Sequence, residues 1–290
     1  VPSDFVVGLI GDGIGASLTP PLHEAEAAAL GLRYEYRTFD LIQLGLSASA
    51  VGPMLAEARE LGYAAMNITH PCKQLALEAA DELDPDARRL GAVNLVAIQD
   101  GLLVGYNTDW IGFRDALLTG LVGAELSRVV QVGCGGAGAA TAYALLNCGV
   151  EELTLVDVDR DRAETLGERM RDLYPEQSVR VVAREGFEAA VSGADGVVHA
   201  TPVGMAHHPG VAFPIESLPA HAWVSDVVYR PLETELIRRA AAAGHRVLDG
   251  GRMAVGQALA SLQIITGLTP DRARMDATFR SLVHAEAETS

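Results

Sequence analysis

The sequence predicts an α/β protein of two domains. Short apolar runs with strand character alternate with longer helical stretches along the 290 residues, the pattern of strands joined by crossover helices. Many of the 30 glycines cluster at apparent strand–helix junctions, where a positive φ or a close backbone approach is needed. The length is that at which one hydrophobic core usually splits into two.

The elements follow in order. Val6 to Ile10 reads as a buried strand, closed by a turn with Gly11, Gly13 and Gly15, and a helix runs from near Pro20 to Leu30. Tyr34 to Phe39 alternates as a half-buried strand does. Leu55 to Leu61 predicts a helix, Ala64 to Ile68 a strand and Pro71 to Leu83 another helix. Val93 to Ile98 and Leu102 to Val104 flank Asp100-Gly101, a hairpin dipeptide. This first region is α/β with some antiparallel character.

From about Trp110 a second series begins, with Trp110 to Leu118 helix-like. Strands are predicted at Val129–Val132, Leu153–Val156, Val179–Val182, Gly196–Val198 and Trp223–Val228, with helical segments between them, including Ala139 to Leu146. Helices return at Met253–Thr266 and Asp271–Leu282, and His284 to Ser290 reads as a frayed tail. The expectation is an α/β substrate-binding domain over residues 1–107, completed by 246–290, and a Rossmann-type doubly wound parallel-sheet domain over 108–245.

The hydrophobic share is 49% and the charged share 21%, ordinary for a globular enzyme. The net charge of −16 argues against nucleic acid, which needs a basic face to release counterions. An anionic substrate must then be held by local donors against the global field. Cys72, Cys134 and Cys148 show no CxxC spacing, so no disulfide framework or zinc site is expected and a reducing cytoplasm fits. No run reaches membrane-spanning length. His207 and His208 adjoin Pro209 without carboxylate or Cys spacing, so no metal is expected. A homodimer stays open.

Gly133-Cys134-Gly135-Gly136-Ala137-Gly138 follows a strand and opens a helix. Glycines there let the backbone turn tightly and approach a pyrophosphate at the helix N-terminus. Asp157 closes the next strand, about 20 residues on, where a ribose-binding acid belongs. The competing reading is a generic tight turn with a surface Asp. A carboxylate accepts hydrogen bonds from a ribose 2′-OH and repels a 2′-phosphate, so NAD is expected over NADP, with Arg160 and Arg162 able to soften the preference.

Two polar islands interrupt the first region: Asn67-Ile68-Thr69-His70-Pro71-Cys72-Lys73 and Asn107-Thr108-Asp109. Brought together, Lys73 and Asp109 would form a cation–carboxylate pair able to move a proton off a substrate hydroxyl. The structural alternatives are a solvated Lys73, with Thr69 or His70 capping its helix, and an N-cap within Asn107–Asp109. Thr19 before Pro20 also reads as an N-cap, with Ser17 in the turn behind it. Asn94, inside an apolar strand, and Gln257, on an apolar helix, each need partners.

Taken together, the motifs carry a resemblance. Gly8-Leu9-Ile10-Gly11, Ser17-Leu18-Thr19-Pro20 with His23, the Asn67–Lys73 segment, Gly91-Ala92-Val93-Asn94 and Gly105-Tyr106-Asn107-Thr108-Asp109 come in this order. The Gly133–Gly138 loop, Ala200-Thr201-Pro202-Val203-Gly204-Met205, Asp226-Val227-Val228-Tyr229 and Asp249-Gly250 with Met253 and Gln257 follow. This order resembles the shikimate dehydrogenase family over essentially the whole chain, and most of all its NAD-using quinate/shikimate branch. The resemblance implies Lys73 and Asp109 as the catalytic pair, with Ser17, Thr19, Thr69, Asn94 and Gln257 bonding the ring hydroxyls and carboxylate of a cyclic hydroxy acid. It implies Gly133, Gly135, Gly136, Ala137, Gly138, Asp157 and Arg162 at NAD, and Thr201 and Met205 near the ribose and nicotinamide.

NADP-using members carry an Arg after the second nucleotide-domain strand, where this chain has Val158. Three other positions depart from the family: His199, where it has Asn or a small residue, and Trp110 and Gly251, both expected to shape the substrate pocket. The implied reaction is reversible oxidation of shikimate or quinate to the 3-dehydro acid, in aromatic amino acid biosynthesis or quinate catabolism. Thr19, where shikimate-only enzymes usually carry Ser, points toward quinate. The alternatives are a paralogue for a related, amino-substituted acid and a non-catalytic metabolite or dinucleotide sensor. A sensor would be expected to lose Lys73 or Asp109, or to add a domain, and this chain does neither.

Overall fold

The computed structural model describes residues 4–289, and the chain divides into two compact units, Val1–Thr108 with Gln257–Ser290, and Asp109–Gly256. In the first unit the elements run β1 (Asp4–Gly11), α1 (Thr19–Ala29), β2 (Arg33–Asp40), α2 (Leu41–Leu44), α3 (Val51–Glu60), β3 (Ala65–Ile68), α4 (Lys73–Ala79), β4 (Glu82–Leu83), α5 (Pro85–Leu90), β5 (Leu95–Gln99) and β6 (Leu102–Tyr106). They form one mixed sheet in the order β2-β1-β3-β5-β6-β4. β1, β2 and β3 are parallel, and β5 is antiparallel to both β3 and β6. The β5–β6 turn has φ +50° at Asp100 and +80° at Gly101, the pair of positive values a tight two-residue hairpin demands.

One face of this sheet is covered by α3, α4 and α5, whose Leu55, Ala58, Ala76 and Ala87 pack on Ile10, Met66, Ile68 and Val96. The expected helix from Pro71 to Leu83 is shorter. It ends at Ala79, and Glu82–Leu83 instead pairs parallel with Val104–Gly105 as β4. That pairing is long-range, so local helix propensity could not reveal it.

The second unit opens with α6 (Asp109–Gly120) and continues β7 (Arg128–Val132), α7 (Gly136–Asn147), β8 (Glu152–Val156), α8 (Arg160–Leu173), β9 (Ser178–Val182), α9 (Phe187–Val191), β10 (Gly196–His199), β11 (Trp223–Asp226), α10 (Glu235–Ala242) and β12 (Val247–Leu248). Its sheet is parallel throughout, in the order β12-β11-β10-β7-β8-β9. This is the doubly wound arrangement, and its strand order reverses between β7 and β10. α9 and α10 cover one face through Phe187, Val191, Leu236 and Ala240, and α7 and α8 pack on the other.

The chain ends in α11 (Gly250–Thr266) and α12 (Arg272–Thr289). Ile264 and Ile265 of α11 pack with Val7, Leu9, Ala65 and Leu95 on the second face of the first sheet. α12 is tied to α1 by buried Glu26, whose carboxylate accepts from Nε and Nη2 of Arg274 at 2.6 and 2.7 Å. The second unit runs on through β12 and the first turns of α11, and the first unit resumes at Gln257. A Cβ on Gly256 would lie 2.8 Å from the Gly112 Cα, so this turn of α11 is packed onto α6. α12 is helical to Thr289, where the sequence suggested a frayed tail; Ser290 lies outside the described residues. Among the described residues no helix is long and apolar enough to cross a membrane.

Candidate active site

In the first unit, strand direction gathers the polar islands. β1, β3 and β6 finish at one end of the sheet and antiparallel β5 starts there. Ser17 and Thr19 follow β1, Thr69 and Lys73 follow β3, Asn94 precedes β5, and Thr108 follows β6. Four segments that carry hydroxyl, amide and ammonium side chains thus adjoin one end of the sheet's central strands.

The turn after β1 is shaped by Asp40, whose carboxylate accepts from the amides of Gly13 (3.1 Å), Ile14 (3.0 Å) and Ile42 (3.1 Å). Burial pushes this carboxyl up, but the amides of Gly13, Ile42, Gln43 and Ile14 outweigh it and hold its pKa below the ordinary value. Gly11 lies against Thr69, since a Cβ there would sit 2.2 Å from the Thr69 methyl. The Asp12 amide donates to the His70 carbonyl (3.0 Å). Thr19 is the first residue of α1 and not its N-cap; the Ser17 hydroxyl accepts from the Thr19 amide at 3.3 Å.

Lys73 opens α4 and is half-buried, and Cys72, not Thr69 or His70, takes the cap position. The Lys73 carbonyl accepts from the Val93 amide (3.0 Å), beside Asn94. Asn94 is buried and binds Thr108 twice: its Nδ2 donates to the Thr108 hydroxyl (2.9 Å) and its Oδ1 accepts from the Thr108 amide (2.7 Å). Ser261 on α11 bonds the same hydroxyl at 3.0 Å, and Gln257 lies one turn earlier on that helix, hence on the same face. Thr108 is thereby fixed immediately before Asp109, the first residue of α6 in the second unit.

Trp110 is buried within the second unit. Its ring stacks edge-on against Tyr143 of α7 (5.2 Å), with the Arg114 guanidinium 4.8 Å over it. Gly251 is buried in the first turn of α11, its amide donating to Asp249 at 3.0 Å.

The glycine loop after β7 separates into two kinds of position. Gly133 has φ +106°, and a Cβ there would lie 2.4 Å from the Ala200 carbonyl; a Cβ on Gly138 would lie 2.2 Å from the Gly133 carbonyl. The fold itself requires these two. At Gly135 and Gly136 an added Cβ would meet nothing within 4 Å, so glycine there keeps a cradle open above the start of α7. Gly135 is the N-cap of α7 and supplies no side-chain cap. Such a helix start favours a pyrophosphate, and the residues present fit a dinucleotide.

Asp157 follows β8 with its side chain 7% exposed. Its Oδ2 accepts from the Cys134 amide (2.7 Å), and its Oδ1 accepts from the Asp159 amide (2.9 Å) and Arg162 (3.2 Å). Arg162 also approaches Asp159 at 3.6 Å, while Val158 is exposed. Burial, reinforced by Asp157, pushes the Cys134 thiol up to about 12, so it stays protonated. Thr201 follows β10, where its hydroxyl bonds His199 and accepts from the Val203 amide at 3.2 Å. Met205 is exposed in the next turn, bridged to His208, and His207 and His208 are exposed too. A cavity of about 400 Å³ lies elsewhere, over β7 to β9 beneath α9 and reaching Arg128 and Glu152 at the strand starts; it is not the loop's cradle.

Sequence reasoning missed Gln131 and Asp40. Gln131 is fully buried in β7, where its Nε2 donates to the carbonyls of Gly133 (2.9 Å) and Gly138 (2.8 Å) and its Oε1 accepts from Thr141 (2.8 Å). It staples the two ends of the glycine loop. The available signal was an amide inside the apolar run Val129–Val132, the same signal that singled out Asn94.

The chain is similar to known proteins over nearly its whole length. The family profile described as "Shikimate dehydrogenase substrate binding domain" matches residues 9–96. A protein of Pseudarthrobacter chlorophenolicus named shikimate dehydrogenase (NADP(+)) is 54% identical, over 97% of this chain and 96% of its own length. One of Corynebacterium efficiens named quinate/shikimate dehydrogenase (NAD(+)) is 46% identical, over 96% and 98%. The structure of quinate dehydrogenase from Corynebacterium glutamicum in complex with NAD superposes with a TM-score of 0.91 at 44% identity, over 96% of this chain and 99% of that one.

Proposed function

The chain belongs to the shikimate dehydrogenase family, and from that premise we propose that it oxidises one ring hydroxyl of shikimate or quinate, reversibly, with NAD preferred over NADP. What supports the substrate class is that β1 and β3 finish, and β5 starts, at one end of the sheet, next to the segments that carry Ser17, Thr19, Thr69, Lys73 and Asn94. Several neutral donors and acceptors with a single ammonium suit a polyhydroxylated ring carrying one carboxylate. They also hold that anion locally, as a chain of net charge −16 requires.

In this reading Ser17, Thr19, Thr69, Asn94 and Gln257 orient the ring. Lys73 and Asp109 handle the proton of the reacting hydroxyl, and the ammonium of Lys73 stabilises negative charge as it develops on that oxygen. Thr108, held by Asn94 and Ser261, fixes the backbone from which Asp109 departs. Gly133, Gly135, Gly136, Ala137 and Gly138 cradle the pyrophosphate, Asp157 with Arg162 meets the adenosine ribose, and Thr201 and Met205 lie on the nicotinamide side. A dinucleotide bound there would supply the hydride acceptor.

The cofactor preference rests on Asp157 and Asp159 outnumbering Arg162 at the ribose position, with apolar Val158 between them. The test is steady-state kinetics with quinate and shikimate, each with NAD and with NADP. The proposal expects NAD-linked oxidation of at least one of the two acids at the higher kcat/KM. A higher value with NADP overturns the cofactor assignment, and turnover of neither acid overturns the substrate.

A further inference from the structure

His199, the departure from the family pattern, is the centre of a hydrogen-bonded chain at the carboxyl ends of β10 and β11. Its Nδ1 lies 2.8 Å from Asp226 Oδ1, and its Nε2 bonds the Thr201 hydroxyl. Asp226 Oδ1 also accepts from the Val228 amide (2.9 Å), and its Oδ2 accepts from the Thr234 hydroxyl (2.7 Å). Thr234 in turn caps α10, accepting from the Ile237 amide at 3.2 Å. His199, Asp226 and Thr234 are all buried.

These partners assign the hydrogens. Asp226 is surrounded by donors and acts as an acceptor through both oxygens, so Nδ1 of His199 carries the hydrogen. A ring that carries its hydrogen on Nδ1 alone offers a lone pair at Nε2, which takes the hydroxyl hydrogen of Thr201. One lone pair of the Thr201 oxygen takes the Val203 amide. With that tautomer Thr201 presents its remaining lone pair outward, as an acceptor.

Its location says what meets that acceptor. A Cβ on Gly133 would lie 2.8 Å from the Thr201 methyl, so Thr201 borders the first glycine of the loop where the strand order reverses between β7 and β10. A dinucleotide crosses a doubly wound sheet at that point. With the adenosine ribose on the β8 side at Asp157, the nicotinamide half falls on the Thr201 side. Its donors are the carboxamide N–H and the ribose hydroxyls.

We propose that His199 is a positioning residue: with its single ring hydrogen on Nδ1 toward Asp226, it locks the Thr201 hydroxyl as an acceptor for a donor on the nicotinamide half of the dinucleotide. This rests on the dinucleotide site proposed above and is independent of which acid is oxidised. Calorimetric titration of the full chain with NAD tests it without turnover. Thr201→Val is expected to raise Kd roughly 5- to 10-fold, the loss of about one hydrogen bond, while Thr201→Ser binds like the wild type. His199→Asn, with an amide that reaches Asp226 but not Thr201, is expected to raise Kd about 3-fold. In the Thr201→Val background the same change has no further effect, because both substitutions remove one interaction.

Repeating the titrations with the 3-acetylpyridine analogue, which lacks the carboxamide N–H, separates the two donors. A lost Thr201→Val effect assigns the carboxamide, and a retained effect assigns the ribose. Independent, additive effects of the two substitutions, or an unchanged Kd in Thr201→Val, overturn the proposal. A wild-type chain that binds neither NAD nor NADP overturns the dinucleotide site itself.

Discussion

Replacing Asp157 with Asn is expected to shift cofactor preference toward NADP by roughly ten- to a hundredfold. The Asp157 carboxylate is 7% exposed and receives the Cys134 amide at 2.7 Å, the Asp159 amide at 2.9 Å and Arg162 at 3.2 Å. A 2′-phosphate about 5 Å away would repel it by roughly 0.8 kcal/mol per charge pair in water and about 3 kcal/mol at intermediate dielectric. Arg162, shared with Asp159, offsets part of this. Asn keeps an acceptor oxygen for the Cys134 amide, so the loop survives while the charge goes. The net gain for NADP is therefore on the order of 1.4–2.8 kcal/mol, which is the stated ten- to hundredfold. The assay is the ratio of kcat/KM with NADP to that with NAD, at saturating acid substrate and two ionic strengths. A ratio that moves by less than about threefold, or a wild type already favouring NADP, refutes the electrostatic reasoning.

Lys73→Met should lower kcat roughly 10²–10⁴-fold and leave calorimetric NAD binding intact; near wild-type turnover removes Lys73 from the proton transfer. Gln131→Leu removes three buried hydrogen bonds and should cost about 2–3 kcal/mol in urea unfolding, together with weaker NAD affinity. A midpoint equal to that of the wild type would mean that the loop holds its own shape. His23 is fully buried, and burial lowers its pKa to about 3, so only the unfolded chain takes up its proton as pH falls from about 6.5 toward 3. The stabilisation present above pH 6.5 is progressively lost on acidification, by about 1.4 kcal/mol at pH 5.5. His23→Phe should flatten that part of the urea-stability profile, and an unaltered slope would assign the loss to other groups.

Several parts of the site were legible because their cause is local. The Gly133–Gly138 loop is written in glycines that backbone geometry demands, and Asp100-Gly101 marks a turn that needs two positive φ values. Asn94 stood out as an amide in an apolar run, and its partner Thr108 lies only 14 residues away. Other features depend on residues that meet only after folding. Asp40 shapes the turn at Gly13 and Ile14 from 26 or 27 residues downstream. β4 exists because β6 offers it a free edge, and Trp110, which reads as a pocket wall beside a catalytic acid, is drawn into the packing of α6 on α7.

The sequence by itself determined the order of strands and helices, the family, and which residue types are available for hydride and proton chemistry. Periodicity, turn chemistry and motif order act over a few residues and survive without coordinates. Tertiary structure alone decided where the units divide within the last helices and which strand end gathers Ser17, Thr69, Lys73 and Asn94. It also decided which hydrogen-bond role each buried polar group takes. His199 shows why: its sequence neighbours say nothing of Asp226, 27 residues on, yet that carboxylate and the Thr201 hydroxyl are what its two ring nitrogens meet.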